Sequence, residues 1–340
     1  MAEVVLSVRN LSVSFNTPDG VVHAVNDVSF DLQAGETLGI VGESGSGKSV
    51  TAGSLMRLNN SVTATTTGNV VVNGVDVLNC TEDEVRGIRG QDIAMVFQDP
   101  LSALNPYYSV GAQIAEAYQV HHADASKDEV EQVVIDMLTK VGIPHPETRL
   151  HQYPHQFSGG MRQRIVIAIA LVNKPKVLIA DEPTTALDVT VQAQILDLMM
   201  DLQRETNMAI ILITHDLGVV AEVARDVLVM YGGRVVEKAS INDLFVAPTH
   251  PYSWGLLGAV SSLEDLQRGH LKTIAGTPPS LISIPSGCAF HPRCEFYEGV
   301  GSRCSSEVPE LRTISSGQSM SACHLDDVQI VSIGKSKVLQ

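Results

Sequence analysis

Gly42-Glu-Ser-Gly-Ser-Gly-Lys-Ser49 fulfils G-x-x-x-x-G-K-[ST] at every fixed position, directly after the apolar run Thr37-Leu-Gly-Ile-Val41. A buried strand, a glycine-rich turn and a helix opening near Ser49 form the setting in which that spacing holds phosphate. Gly42, Gly45 and Gly47 let backbone N–H groups turn inward around an anion, and Ser44, Ser46 and Val50 lie along the same cradle. Lys48 supplies a point charge to the β- and γ-phosphates of a triphosphate, and the Ser49 hydroxyl can ligate Mg²⁺ at the helix N-terminus. A plain glycine-rich turn would need neither the lysine nor the hydroxyl.

With 340 residues, the chain exceeds one average domain, so a large core with a smaller appended unit is expected. A content of 44% hydrophobic and 18% charged residues fits a folded α/β protein and excludes wholesale disorder. The longest uninterrupted apolar stretch, Ile165 to Val172, has eight residues, far below the roughly 20 needed to cross a bilayer. The opening Met-Ala-Glu-Val-Val-Leu has no basic region or apolar core for export, so the chain is expected to stay where ATP is made. A net charge of −15 argues against broad electrostatic binding to nucleic acid or anionic lipid.

The first 40 residues carry strand-like runs at Val4–Val8, Leu11–Phe15, Val21–Val25 and Val28–Leu32, broken by Thr17-Pro-Asp-Gly20 and Gln33-Ala-Gly35. They read as an antiparallel edge sheet. A further strand pair is expected over Gly68–Val77 and a short buried strand over Ile93–Phe97. From Val110 to about Val141 the apolar spacing is helical. Helices at Met161–Val172, Val189–Thr206 and Leu217–Ala224 then alternate with strands at Val177–Ala180, Ala209–Ile213 and Val227–Met230. That alternation predicts a parallel sheet with helices on both faces. A short helix from Tyr252 to about Leu266 precedes a stretch rich in Pro, Ser and Cys, which puts a domain boundary near residues 265–275.

Val177-Leu-Ile-Ala-Asp-Glu182 is a buried strand ending in two carboxylates. Asp181 can hold the Mg²⁺ shell, and Glu182 is placed to orient or deprotonate an attacking water. Phe157-Ser-Gly-Gly-Met-Arg-Gln-Arg164 stands directly before a helix, and with these residues the chain resembles the ATP-binding cassette family over about residues 4–262. The resemblance implies an α/β P-loop NTPase cassette: a RecA-like core, an antiparallel edge sheet and a helical subdomain over about 105–172, all within residues 1–265. It also implies that Ser158, Gly159 and Gly160 touch a γ-phosphate across a dimer, that Gln98 is the lid glutamine and a metal contact, and that Asp188 lies in the dimer-facing loop Ala186-Leu-Asp188. His215 matches the switch histidine. Phe157 and Met161 depart from the family's usual Leu and Gln. Phe15 is the candidate for stacking on adenine, with an ordinary edge-sheet aromatic as the alternative. Catalysis would then rest on Glu182, His215, Gln98 and Lys48, with ATP and Mg²⁺ bound. Two such subunits would sandwich two ATPs, and opening after hydrolysis would be the mechanical output.

The tail narrows the resemblance. His250-Pro-Tyr252, Gly276-Thr-Pro-Pro279, Gly287-Cys-Ala-Phe-His-Pro-Arg-Cys294, Cys304 and Cys323-His324, with Gln98-Asp-Pro-Leu-Ser-Ala-Leu-Asn-Pro106, resemble dipeptide/oligopeptide (and nickel) importer ATPases. The implied partners are a second homologous ATPase subunit, two transmembrane permease subunits and an extracytoplasmic substrate-binding protein, with no nucleic acid. The chain would lie peripherally on the cytoplasmic face of the membrane. The other reading is a soluble ABC ATPase acting on nucleic acid or ribosomes, which would require a second cassette or a long coiled coil. Four of the five cysteines (Cys288, Cys294, Cys304, Cys323) fall in a small C-terminal domain over residues 266–340. Their spacings, C-x5-C, C-x9-C and C-x18-C, lack the close pair usual for structural zinc and lean to an iron–sulfur cluster. The resemblance suggests [4Fe–4S]; zinc and unligated or disulfide-linked thiols remain open.

Overall fold

The computed structural model describes residues 3–185, 187–259, 274–314 and 317–338. Its strands are β1 (Val4–Thr17), β2 (Gly20–Gln33), β3 (Thr37–Val41), β4 (Ala64–Val72), β5 (Val75–Asp76), β6 (Ile93–Val96), β7 (Val177–Asp181), β8 (Ala209–Thr214), β9 (Asp226–Tyr231), β10 (Arg234–Ser240), β11 (Arg312–Thr313) and β12 (Met320–Ser321). The chain divides into two units. One gathers Met1–Ser7, Asp31–Glu36 and Val71–Ile211, and the other Val8–Phe30, Thr37–Val70 and Leu212–Gln340. Among the described residues no helix is long and apolar enough to cross a membrane.

The four short runs expected near the N-terminus are two long strands. The breaks in alternation at Asn10 and Asp27 are left-handed residues (φ 50 and 58) that bend each strand without ending it. Neighbouring side chains hold them: the Asn10 N–H donates to Ser29 Oγ at 2.8 Å, the Asp27 N–H to Ser12 Oγ at 2.9 Å, and Asn10 Nδ2 to Asp27 Oδ1 at 2.7 Å. Polar residues interrupt the pattern there because they serve the kink. Only Pro18-Asp19 separates β1 from β2, so the two strands run antiparallel.

In the unit containing Val71–Ile211, β4 and β5 close a hairpin through Asn73 and Gly74. Both have positive φ (46 and 84), the primed turn that matches strand twist. β6 and β7 pair in parallel, from Ile93 opposite Val177 to Val96 opposite Ala180. The helical stretch expected over 110–141 is two helices, Val110–Gln119 and Lys127–Lys140, each started by a serine. Ser109 Oγ accepts from the Ala112 N–H and Ser126 Oγ from the Glu129 N–H, so the break at His121–Ala125 is a true restart. Helix Gly159–Leu171 buries Ile165, Val166, Ile167, Ala168, Ala170 and Leu171. From Ile165 on it carries only apolar residues, so this half of the helix has no polar face. Helix Val189–Thr206 occupies the predicted span and ends at left-handed Asn207.

In the unit containing Leu212–Gln340, the strand order is β11-β12-β10-β9-β3. β3 and β9 are parallel, with Leu38 opposite Asp226 and Val41 opposite Val229, and β10 returns antiparallel to β9. β10 went unread because its alternation is broken by an irregularity between Val235 and Glu237. Val41, Val227, Val229, Tyr231, Leu217 and Val220 form part of the core here. A second cluster collects Trp254, Ile314, Leu325 and Ile330, with Phe296 packed against it. Trp254 donates its indole N–H to the Pro248 carbonyl at 2.8 Å and meets the Phe296 ring edge-on at 5.2 Å. Helix Pro251–Ala259 carries that tryptophan. The predicted continuation to Leu266 lies outside the described residues, as does most of the expected boundary.

Candidate functional site

The phosphate loop is built as its spacing requires. β3 is buried along its whole length and delivers the chain to Gly42, and helix Lys48–Leu55 begins where the motif ends. A Cβ on Gly42 would stand 2.2 Å from the Met230 carbonyl oxygen, and one on Gly47 2.3 Å from that of Ala24. Both residues also have positive φ (152 and 104), so only glycine lets the loop pass between these strands. Lys48 is buried (7% exposed), and its Nζ donates to the Gly42 and Glu43 carbonyls at 2.8 and 3.0 Å. The loop's own oxygens thereby fix the ammonium over the turn. Ser44, Gly45 and Ser49 are exposed, Ser46 is buried and Val50 half-buried. An anion fits this donor set: glycine-lined N–H groups, one lysine and a hydroxyl at a helix start.

Asp181 and Glu182 lie in the other unit. Asp181 ends β7 and is buried at 7% exposure. Glu182 follows with φ 48, a left-handed conformation that an ordinary side chain adopts at the expense of stability. Its Oε2 accepts from Gln98 Nε2 at 2.8 Å and from Thr185 Oγ1 at 2.9 Å. The carboxylate is thus aimed by two neutral donors. Thr185 was not picked out from the sequence; its signal is the register of Asp181-Glu-Pro-Thr-Thr185, which returns a hydroxyl three residues after the carboxylate.

Ser158 starts helix Gly159–Leu171, its Oγ accepting from the Met161 N–H at 3.4 Å. A Cβ on Gly160 would meet Val191 Cγ1 at 2.6 Å, so close helix packing explains that glycine. Met161 Sδ accepts from Arg149 Nη1 at 3.5 Å. Asp188 caps helix Val189–Thr206, accepting from the Val191 N–H at 3.0 Å; Ala186, beside it, lies outside the described residues. His215, in the same unit as the phosphate loop, is exposed after β8, and Phe15 is half-buried on β1.

The iron–sulfur expectation is corrected. Among the described residues no group of three or more His, Cys, Asp or Glu side chains is arranged to hold a metal ion, so neither [4Fe–4S] nor zinc has a site there. Sequence spacing counts thiols but not their directions. Cys288 and Cys294 pack against the core of Tyr231, Tyr252 and Phe290, whereas Cys323 packs against the Trp254 cluster. All four remain free thiols. Burial pushes Cys288 up to about 11 and Cys323 to about 12, and raises Cys294 and Cys304 as well. They are protonated, apolar fillers at neutral pH.

Known proteins share this architecture. The family model for ABC transporters matches residues 25–185, and that for the oligopeptide/dipeptide transporter C-terminal region matches 236–299. The dipeptide transport ATP-binding protein DppD of Bacillus subtilis is 56% identical over 293 residues, spanning 86% of this chain and 87% of its own. The oligopeptide transport ATP-binding protein OppD of Salmonella typhimurium is 51% identical over 322 residues, spanning 95% and 94%. Among solved structures, a dimeric ATP-binding cassette in a post-hydrolysis state with ADP and Pi aligns with TM-score 0.62 and 25% identity over 69% of this chain and 98% of that one. Half of its residues shared with such relatives over nearly its full length, together with the two family matches, place this chain in the family of ABC transporter ATP-binding proteins, in the branch with the oligopeptide/dipeptide transporter C-terminal region.

Proposed function

We propose that this chain is the ATP-hydrolysing subunit of an ABC importer of dipeptides or oligopeptides. The observation that carries the chemistry is Glu182, held left-handed beside Asp181 with its carboxylate fixed by Gln98 and Thr185. Strain kept in place by hydrogen bonds marks a side chain whose direction matters. The dipeptide and oligopeptide transport relatives support the cargo class.

In this reading the phosphate loop from Gly42 to Ser49 holds the triphosphate, with Lys48 countering its charge and Ser49 a candidate Mg²⁺ ligand; in the other unit, Asp181 and Gln98 are the candidate Mg²⁺ ligands. Bound Mg²⁺ would neutralise charge on the transferring phosphoryl group. Glu182 orients the attacking water and takes its proton, and His215 senses the γ-phosphate. Phe15 stacks on adenine. Ser158, Gly159 and Gly160, with Asp188, face a second homologous ATPase subunit. Two permease subunits and an extracytoplasmic binding protein complete the complex, with this chain on the cytoplasmic face of the membrane. The segment after Gln98 offers Tyr107 and Tyr108, 85% and 59% exposed, as the surface for a permease helix.

The test is Glu182→Gln in the assembled complex. Binding of ATP should persist while turnover falls at least about a hundredfold. Turnover near that of the unaltered chain would move the catalytic role elsewhere, and co-purification with no membrane subunit would remove the importer reading.

A further inference from the structure

Glu43, the first variable residue of the phosphate loop, is gripped from three sides. Its carboxylate receives the Arg293 guanidinium fork, Nη1 to Oε2 at 2.7 Å and Nη2 to Oε1 at 3.1 Å. Its N–H donates to the Tyr252 hydroxyl at 2.7 Å. Its carbonyl accepts from Lys48 Nζ at 3.0 Å. The two tail residues lie 250 and 209 positions away in sequence.

Arg293 is itself fully tied down. Its side chain is 6% exposed. Nε donates to the Ala275 carbonyl at 2.9 Å, Nη2 to those of Ile274 and Gly276 at 3.4 Å, and Nη1 to the Tyr231 hydroxyl at 3.3 Å. The guanidinium carbon lies 5.8 and 6.0 Å from the Tyr231 and Phe290 ring centroids. A planar, five-donor cation between rings is a geometry lysine cannot copy. Tyr252 is fully buried, its ring 4.6 Å from that of Tyr231.

Glu43 is the only carboxylate in the loop. Unpaired, it would repel the triphosphate this loop receives and would leave the turn free to shift Lys48. We propose that Arg293 and Tyr252 are positioning residues of the phosphate loop: the C-terminal region neutralises and fixes Glu43, and so sets the affinity of Lys48 and its neighbours for ATP. The inference rests on the reading of the loop as an ATP site. It assigns the tail stretches His250-Pro-Tyr252 and His291-Pro-Arg-Cys294 a task that needs no metal. Because both ends of the clamp move together, whatever displaces the tail weakens nucleotide binding, and nucleotide binding in turn favours the docked tail.

The experiment measures displacement of a fluorescent ATP analogue from the full chain, with KM for ATP and kcat in the assembled transporter. Arg293→Gln should weaken ATP binding and raise KM by about tenfold, a coupling of ordinary size, with kcat within about twofold. Glu43→Gln combined with Arg293→Gln removes the stranded carboxylate and should recover most of that loss. Tyr252→Phe, which keeps the ring in the core, should raise KM by roughly threefold. A merely structural clamp would lower the melting temperature of Arg293→Gln without any rescue in the double variant, and that result overturns the proposal. So does unchanged ATP affinity in Tyr252→Phe, which decides the matter if Arg293→Gln fails to fold. Absence of ATP binding or turnover in the unaltered protein would instead refute the ATPase reading itself.

Discussion

At the scale of single residues, what could be read in advance was what the chain keeps local. Lys48, Ser49, Asp181 and Glu182 stand in short motifs whose spacing alone implies their geometry. Tyr252 and Arg293 were visible only as parts of a tail pattern, because the partner they hold lies more than 200 residues away. Lys48→Ala should abolish tight nucleotide binding, measured by titration with ATP, since no other cation stands in the loop sequence. A second residue-scale prediction concerns a buried acid and base. Glu237 is fully buried on β10, with Oε1 accepting from the Thr249 N–H and Oε2 from the His250 N–H, and burial raises it to about 7. His250, equally buried, is lowered to about 3 by the same loss of water. A raised carboxyl contributes stability that is present below 4.5 and lost as pH rises through about 7. A depressed imidazole contributes stability that is present above 6.5 and lost as pH falls toward 3. Between pH 5 and 7 the two slopes oppose each other. In His250→Asn, which keeps an acceptor for the Tyr252 N–H now bonded to Nδ1 at 3.1 Å, only the Glu237 slope survives. Relative to the unaltered chain, the variant should gain about 2 kcal/mol between pH 7 and pH 5, read from urea unfolding at each pH.

Elements were legible where periodicity ran uninterrupted and were lost where a kink or restart served packing. Helix Val189–Thr206 was read with its limits because a polar cap and a left-handed asparagine bracket one long amphipathic run. The two long N-terminal strands were read as four because Asn10 and Asp27 look like breaks, although their backbone continues. β10 was missed because its irregularity puts residues out of phase. Close approach of a helix to its neighbours is likewise invisible to pattern. In helix Asp327–Val338, a Cβ on Gly334 would lie 2.1 Å from the Pro248 carbonyl oxygen and 3.3 Å from Trp254 Nε1. Gly334→Ala should therefore destabilise the chain by about 1–3 kcal/mol despite alanine's better helix propensity, seen as a lower denaturation midpoint. Gly160→Ala meets Val191 in the same manner. It should lower stability and ATPase activity together, since that glycine opens the helix whose start faces the second subunit in the proposed complex.

For the molecule as a whole, composition excluded more than it assigned. The charge of −15 and the short apolar runs narrowed the class, while the phosphate loop and the two carboxylates supplied the chemistry. The cysteine count misled, since Cys288 and Cys294 pack against one apolar core and Cys323 against another, and thiols close in sequence need not be arranged to hold a metal ion. If two subunits close over ATP, specific ATPase activity should fall on dilution and recover when the homologous subunit is added. Activity independent of concentration would show that one chain suffices. The chain has a single tryptophan, and it lies in the Trp254 cluster, shielded by Phe296, Ile314, Leu325 and Ile330. All ultraviolet emission excited at the red edge of protein absorption thus originates at one place, beneath the C-terminal helix. The protein carries an unlabelled optical gauge of its own tail: the light stays blue while that helix is seated and reddens once water reaches the indole.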